Sequence, residues 1–125
     1  MILDTCALLW LAQGGGRLSS GALNRIATAP VIYVSAISGF EVGIKHRKGK
    51  LRLPAQPTDW FEAVLQHHDI HSLPVDHRVA LRSSQLPAVH ADPVDRIIVA
   101  TAEQQRMAVV TGDSVFEQYG VEVIR

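Results

Sequence analysis

Apolar residues in this chain come in short unbroken blocks, set between stretches where they recur at helical spacing. Residues 1–3 form the first block, closed by Asp4, and Ala7-Leu8-Leu9-Trp10-Leu11-Ala12 then reads as an apolar helix. Gly14-Gly15-Gly16 stops it, because three glycines cost too much backbone entropy to continue a helix. Ser19 or Ser20 caps a second helix to about Ala27, with Leu23, Ile26 and Ala27 on one face. Pro30 ends that helix, and residues 31–34 are the clearest β-run. Residues 35–46 carry Ile37, Phe40 and Ile44 at helical spacing. The segment around Pro54 and Pro57 reads as a loop, and Trp60, Phe61, Val64 and Leu65 mark a further amphipathic helix. Residues 70–75 are weakly strand-like, Asp76 caps a helix to about Leu86, and residues 87–91 form another loop. Asp92-Pro93 is a strong helix start, with Val94, Ile97, Ile98 and Ala102 on one face as far as about Gln105. Residues 107–110 form a strand that runs into Thr111-Gly112-Asp113, and residues 121–124 form the last strand.

Strands thus alternate with helices, and the best strands are continuous apolar runs. That predicts an α/β fold: a parallel sheet of four to five strands covered by helices on both faces. With 125 residues and no internal repeat or linker, the chain is expected to be one domain over residues 1–125. Strand order does not follow from the pattern.

Composition narrows the class. A content of 47% hydrophobic and 19% charged residues supports a packed core and argues against disorder. No apolar run approaches the ~20 residues needed to cross a bilayer, and the opening Met-Ile-Leu-Asp is unlike a secretory signal. The single cysteine, Cys6, cannot pair internally, so a reducing cytoplasm is the expected compartment, with Cys6 as a small buried hydrophobe. Twelve basic residues balance twelve acidic ones, which leaves no global field to attract nucleic acid. The distribution is uneven, however: Lys45, Arg47, Lys48, Lys50 and Arg52 stand together with no acid among them, either as solvated surface or as a binding patch.

The candidate chemistry lies where the chain changes direction. Ligands of an open parallel sheet bind beyond the carboxyl ends of its strands. Asp4 and Asp113 follow two predicted strands, and Glu41 lies early in the helix after a third. Asp95 lies in the first turn of the helix that Asp92 caps, and joins the others only if that helix starts at the same edge. Each acid taken alone is explained as a helix cap or a first-turn acid. Four converging carboxylates would repel one another without a cation, and hard oxygen ligands suit Mg²⁺ or Mn²⁺ rather than zinc. The residues alone therefore suggest an acidic pocket for a divalent metal, suited to phosphate chemistry.

The frame Leu3-Asp4-Thr5, Ser35-x-x-Ser38-x-x-Glu41, His90-Ala-Asp92-Pro93-Val94-Asp95-Arg96 and Val110-Thr111-Gly112-Asp113 resembles PIN-domain proteins, and within them the VapC-type toxins of bacterial toxin–antitoxin pairs. The resemblance runs in register over essentially the whole chain. It implies an α/β/α sandwich, a Mg²⁺-dependent endoribonuclease, and a cognate antitoxin that blocks the site. It places the family's acidic quartet on Asp4, Glu41, Asp95 and Asp113. Close relatives often have a histidine where this chain has Cys6.

On that reading Asp4 and Asp95 hold the metal, with Asp113 completing its water shell or anchoring a second ion, and Glu41 orients the attacking water or takes its proton. Thr5, Ser35 and Thr111 are candidate hydrogen-bond partners of the carboxylates, with a plain helix cap as the alternative for Ser35. Arg96 either pairs with a nearby acid or faces a phosphate. Lys45, Arg47, Lys48 and Lys50 are candidates for gripping RNA phosphates or an acidic antitoxin segment. His67, His68 and His71 are expected to be solvated surface rather than a metal tract, Trp10 and Trp60 to be core or interface rather than base-stacking platforms, and the chain to form a homodimer. Three other classes compete. A haloacid-dehalogenase-like phosphatase needs a second Asp where Cys6 stands. A receiver domain needs adjacent acids and a late Lys. A non-catalytic PIN-like binding module would be expected to lose carboxylates that are intact here.

Overall fold

A computed structural model describes residues 1–125. In chain order the elements are β1 (Ile2–Leu3), α1 (Thr5–Ala12), α2 (Ser20–Thr28), β2 (Ile32–Ser35), α3 (Ala36–Arg47) and α4 (Pro57–His68). They continue with β3 (Ile70–Leu73), α5 (His77–Gln85), α6 (Pro93–Gln105), β4 (Val109–Val110), a 3₁₀ helix (Ser114–Tyr119) and β5 (Val123–Ile124). All five strands are parallel, in the order β3-β2-β1-β4-β5. The expected α/β/α sandwich is present, with β1 at the centre of its sheet.

Alternation along the short strands builds two cores. Leu3, Val34, Val110 and Ile124 point to one face, where Leu8 of α1 and Ile26 of α2 cover them. Ile2 and Val109 point to the other, under Val79 of α5, Ile98 and Val99 of α6, and Phe116. Each fully buried side chain of this size stabilises the fold by about 1.5–3 kcal/mol. Two-residue strands suffice because every residue in β1 and β4 is completely buried.

Strands β2, β3 and β5 differ from expectation by one or two residues at an end, and three further departures have a local reason. Helix α4 begins at Pro57 rather than near Trp60, since a proline is well placed in a first turn whose amides have no partner. Strand β4 starts at Val109, because Arg106 adopts a left-handed φ of 53° and the Met107 amide bonds back to Ala102 at 3.0 Å to close α6. The segment after Asp113 folds into a 3₁₀ helix that the hydrophobic pattern does not announce. Helix α3 ends in a Schellman turn: Gly49 (φ 71°) lets its own amide reach His46 at 3.0 Å and the Lys50 amide reach Lys45 at 2.9 Å.

Arg96 corrects one expectation outright, since it contacts neither an acid nor open solvent space for a phosphate. Its guanidinium donates to the carbonyls of Ser83 (2.8 and 3.1 Å), Leu86 (2.8 Å), Pro87 (2.9 Å) and His90 (3.3 Å). It thereby closes the end of α5 and holds the 86–90 loop over the start of α6. Replacing Arg96 by Ala leaves these carbonyls short of donors and is expected to lower unfolding free energy by about 2–4 kcal/mol in urea titration. Arg96→Lys should recover less than half of this, because an ammonium cannot span the same fork of carbonyls.

Candidate active site

The sheet register sets the site. Leu3 is level with Val34 on one side and Val110 on the other, so Asp4, Ser35 and Thr111 leave three adjacent strands at the same height. The chain builds outward from β1 to β2 and β3, then crosses back to β4 and β5. The gap between the carboxyl ends of β1 and β4 is therefore the switch point of the sheet, where Asp4 and the loop to Asp113 meet.

The carboxylates there also serve as helix caps. Asp4 Oδ1 accepts from the Ala7 amide of α1 at 2.8 Å. Asp113 Oδ1 accepts from Val115 at 2.9 Å at the start of the 3₁₀ helix, and Asp92 Oδ1 from Val94 at 2.9 Å. Each cap bond occupies a single carboxylate oxygen, Oδ1 in all three. Asp95 sits in the first turn of α6, and that helix does begin at the acid edge. Asp4, Glu41, Asp95 and Asp113 all line one cavity of about 190 Å³, with Asp92 and Lys45 also on its wall. The four predicted acids are thus brought together.

Their supports fare unevenly. Thr5 is buried and shares a 2.9 Å hydrogen bond with the buried Ser38 hydroxyl, tying α1 to the face of α3 one turn ahead of Glu41. The Thr111 hydroxyl accepts from the Asp113 amide at 3.0 Å, which fixes the turn between those two residues. Ser35 is the N-cap of α3, bonded to Ile37 at 3.1 Å, so the plain alternative describes it. Lys45 Nζ stands 3.8 Å from Glu41 Oε2, one helical turn on. Lys45, Lys48 and Lys50 line a shallow depression beside Glu41, whereas Arg47 is exposed and does not line it.

The sequence reading left three residues of this region without their observed place. His90 belongs to the motif but has no assigned role; its Nε2 lies 2.9 Å from Asp95 Oδ2 and 3.4 Å from Asp113 Oδ2. Its Nδ1 accepts from the Asp92 amide at 3.2 Å, which leaves the proton of a neutral ring on Nε2. That N–H aligns with neither carboxylate, so the contact is one of proximity rather than a well-formed hydrogen bond. Cys6 is exposed on the cavity wall instead of buried. Desolvation there, and then the Asp4 charge, push its thiol pKa up, so it is no candidate nucleophile. Trp10 also lines the cavity, while Trp60 packs on the core as expected.

Electrostatics mark the site as strained toward neutrality. Burial raises the pKa of Asp4, reinforced by the charges of Glu41 and Asp113 and opposed by the Thr111 hydroxyl and the Ala7 amide. Asp95 is pushed up to about 7, first by burial, then by the charges of Asp92 and Asp4. His90, Asp95 and Asp113 place ligand atoms within 4.8 Å of one another. Hard carboxylate oxygens in mutual repulsion, only partly relieved by their caps, fit a divalent cation such as Mg²⁺ or Mn²⁺. A larger cavity, about 580 Å³, lies elsewhere, between Leu11, Leu23, Ile26 and Ile32, and its titratable groups are His68 and Asp69 alone.

Comparison with known proteins agrees with this geometry. The sequence profile of the PIN domain matches residues 1–122. Ribonuclease VapC22 of Mycobacterium tuberculosis is 29% identical over 114 residues, covering 90% of this chain and 86% of the relative. A toxin–antitoxin complex from Klebsiella pneumoniae superposes with a TM-score of 0.63 at 25% identity, over 90% of this chain and 86% of that one. VapBC2 from Rickettsia felis, solved on a promoter DNA fragment, reaches a TM-score of 0.71 at 12% identity over 98% and 95% of the two chains, a likeness of fold alone.

The raised Asp95 pKa carries a sign for stability. The folded chain keeps a proton that the unfolded chain releases, so this contribution is complete below about pH 3.8 and is lost as pH rises through about 7. Without added metal, Asp95→Asn is therefore expected to raise Tm most at pH 8, the gain shrinking toward pH 5. Thermal melts of both chains across that range check it, and an equal gain at every pH would contradict it.

Proposed function

The chain belongs to the PIN domain family, and from that premise we propose that it is a Mg²⁺- or Mn²⁺-dependent endoribonuclease, the toxin of a toxin–antitoxin pair. The observation that carries the reading is the convergence of Asp4, Glu41, Asp95 and Asp113, from four separate parts of the chain, on one cavity. The named activity of the mycobacterial relative and the antitoxin in the Klebsiella complex support the substrate and the partner. The chain acts as a single domain in the cytoplasm, and no helix is long and apolar enough to cross a membrane. It forms a homodimer, and Phe40 and Leu81, 61% and 58% exposed, are large apolar side chains for partner surfaces to cover.

Asp4, Asp95 and Asp113 would hold the cation, whose chemistry when bound is to offset charge on a phosphate and to make water more acidic. Glu41, inward-facing at 15% side-chain exposure, orients the attacking water or accepts its proton. Lys45 is more exposed than Glu41 and meets the phosphate that the carboxylates alone would repel. Lys48 and Lys50 extend that grip along the strand, while Arg47 acts only at longer range. The Thr5–Ser38 bond keeps the Asp4 turn and the Glu41 helix in fixed relation. A cognate antitoxin silences the enzyme by covering this acidic cavity and its basic rim.

The test is cleavage of a panel of fluorescent single-stranded RNAs in Mg²⁺, Mn²⁺ or EDTA. Cutting should need the metal, and Asp4→Asn and Asp95→Asn should each lower it by at least about 100-fold. Glu41→Gln should cost about 10²- to 10⁴-fold. Cleavage that survives EDTA and both Asp variants would belong to another enzyme and sink the reading.

A further inference from the structure

Trp10 is the one aromatic side chain on the wall of the acid cavity, where the proposed mechanism gives it no part, and its placement is unusual. It packs against neither core, although Trp60 does. An indole carries a large apolar surface, which folding normally spends in the interior. Here it is half-buried and forms part of the wall of the acid cavity.

The ring is also held in place. Gly16, at φ 50°, lies so close that a Cβ there would come within 2.8 Å of Trp10 Cβ and 2.9 Å of Cγ and Cδ1. At the far end of the indole, a Cβ on Gly112 would come within 2.8 Å of Cη2 and 3.1 Å of Cζ3. The turn after α1 folds back to bring the first glycine there, with the Gly15 amide bonded to the Trp10 carbonyl at 2.9 Å. Gly112 lies between Thr111 and Asp113, so the outer edge of the ring rests against the peptide that leads into a metal-site carboxylate. The result is a rigid plate with glycine backbone at both ends.

Apart from Cys6 and Gly112, the rest of the cavity wall is polar. Asp4, Glu41, Asp95 and Asp113 repel a nucleic acid, Lys45 attracts its phosphate, and the indole is the one surface where a base gains by lying flat. We propose that Trp10 is the platform on which a nucleobase next to the scissile phosphate stacks. This deepens the ribonuclease reading and rests on it. Trp10 is a positioning residue that sets the register of single-stranded RNA against the carboxylates. Stacking favours any base by its π-face, so the residue supplies grip without demanding one base identity.

The test pairs protein and RNA changes. Trp10→Ala is expected to raise KM for a single-stranded substrate by about 5- to 150-fold with kcat little changed, and Trp10→Phe to recover most of it. A merely structural role would instead lower kcat and Tm together. Abasic substitution, scanned across the positions flanking the cut, should weaken the wild type by at least about fivefold at one position and leave Trp10→Ala unaffected there. If Trp10→Ala does not fold, Trp10→Leu serves with the same scan. In an Asp4→Asn/Trp60→Phe chain, where Trp10 is the sole tryptophan, uncleaved RNA should quench the fluorescence saturably. The proposal is overturned if wild type cuts RNA while no abasic position distinguishes it from the Trp10 variants, or if RNA binds without quenching. If the wild type neither cuts nor binds any RNA, the ribonuclease reading itself fails, and this inference falls with it.

Discussion

The rest of the site depends on one tension: a parallel sheet delivers several carboxylates to a single edge, where they repel one another. The chain answers with backbone amides before any metal is considered. Asp4, Asp92 and Asp113 each accept from the first turn of the helix that follows, where unpaired N–H groups and the helix dipole favour negative charge. The relief is incomplete, since Asp4 and Asp95 still have raised pKa values. For Asp4 and Asp113, capping does not compete with a place on the cavity wall: one position provides both. A carboxylate has two oxygens, and the helix start takes only one.

The remaining contacts follow from holding those acids still. Thr5 and Ser38 join the turn of one acid to the helix of another through a buried hydroxyl pair. Arg96 does the same from behind, binding the loop that carries His90 through carbonyl groups rather than through charge. His90 then enters between Asp95 and Asp113, where an imidazole N–H separates two like charges.

What could be read from the sequence was what depends on neighbours in the chain. Asp92-Pro93 announces a helix, the Val31–Val34 region a strand, and the alternation of the two a layered α/β fold. The shared edge of Asp4, Glu41 and Asp113 is legible because strand ends are local features that a parallel sheet sends to one side, whereas the place of Asp95 depends on where α6 starts. Arg96 and Cys6 depart from expectation, and the cavity-wall position of Trp10 goes unannounced, because their partners are distant or geometric. Nothing near Arg96 reveals that four carbonyls surround it, and nothing near Trp10 reveals Gly112 across the fold. Cys6 lies on the first turn of α1 and faces the cavity, an orientation set by how that helix docks on the sheet. His90 is the same case: only the folded 86–92 loop shows where its ring points.

The brevity of the central strand has a consequence for how the chain can vary in length. In β1, Ile2 belongs to one core and Leu3 to the other, and the carboxylate comes next. Inserting or deleting one residue there would exchange the two faces and turn Asp4 away from its neighbours, with no spare residue to absorb the slip. The Gly49–Gln56 connection is exposed over much of its length and lies between the end of α3 and the Pro57 start of α4. Natural variation in length should therefore collect in that connection and be absent between Leu3 and Thr5.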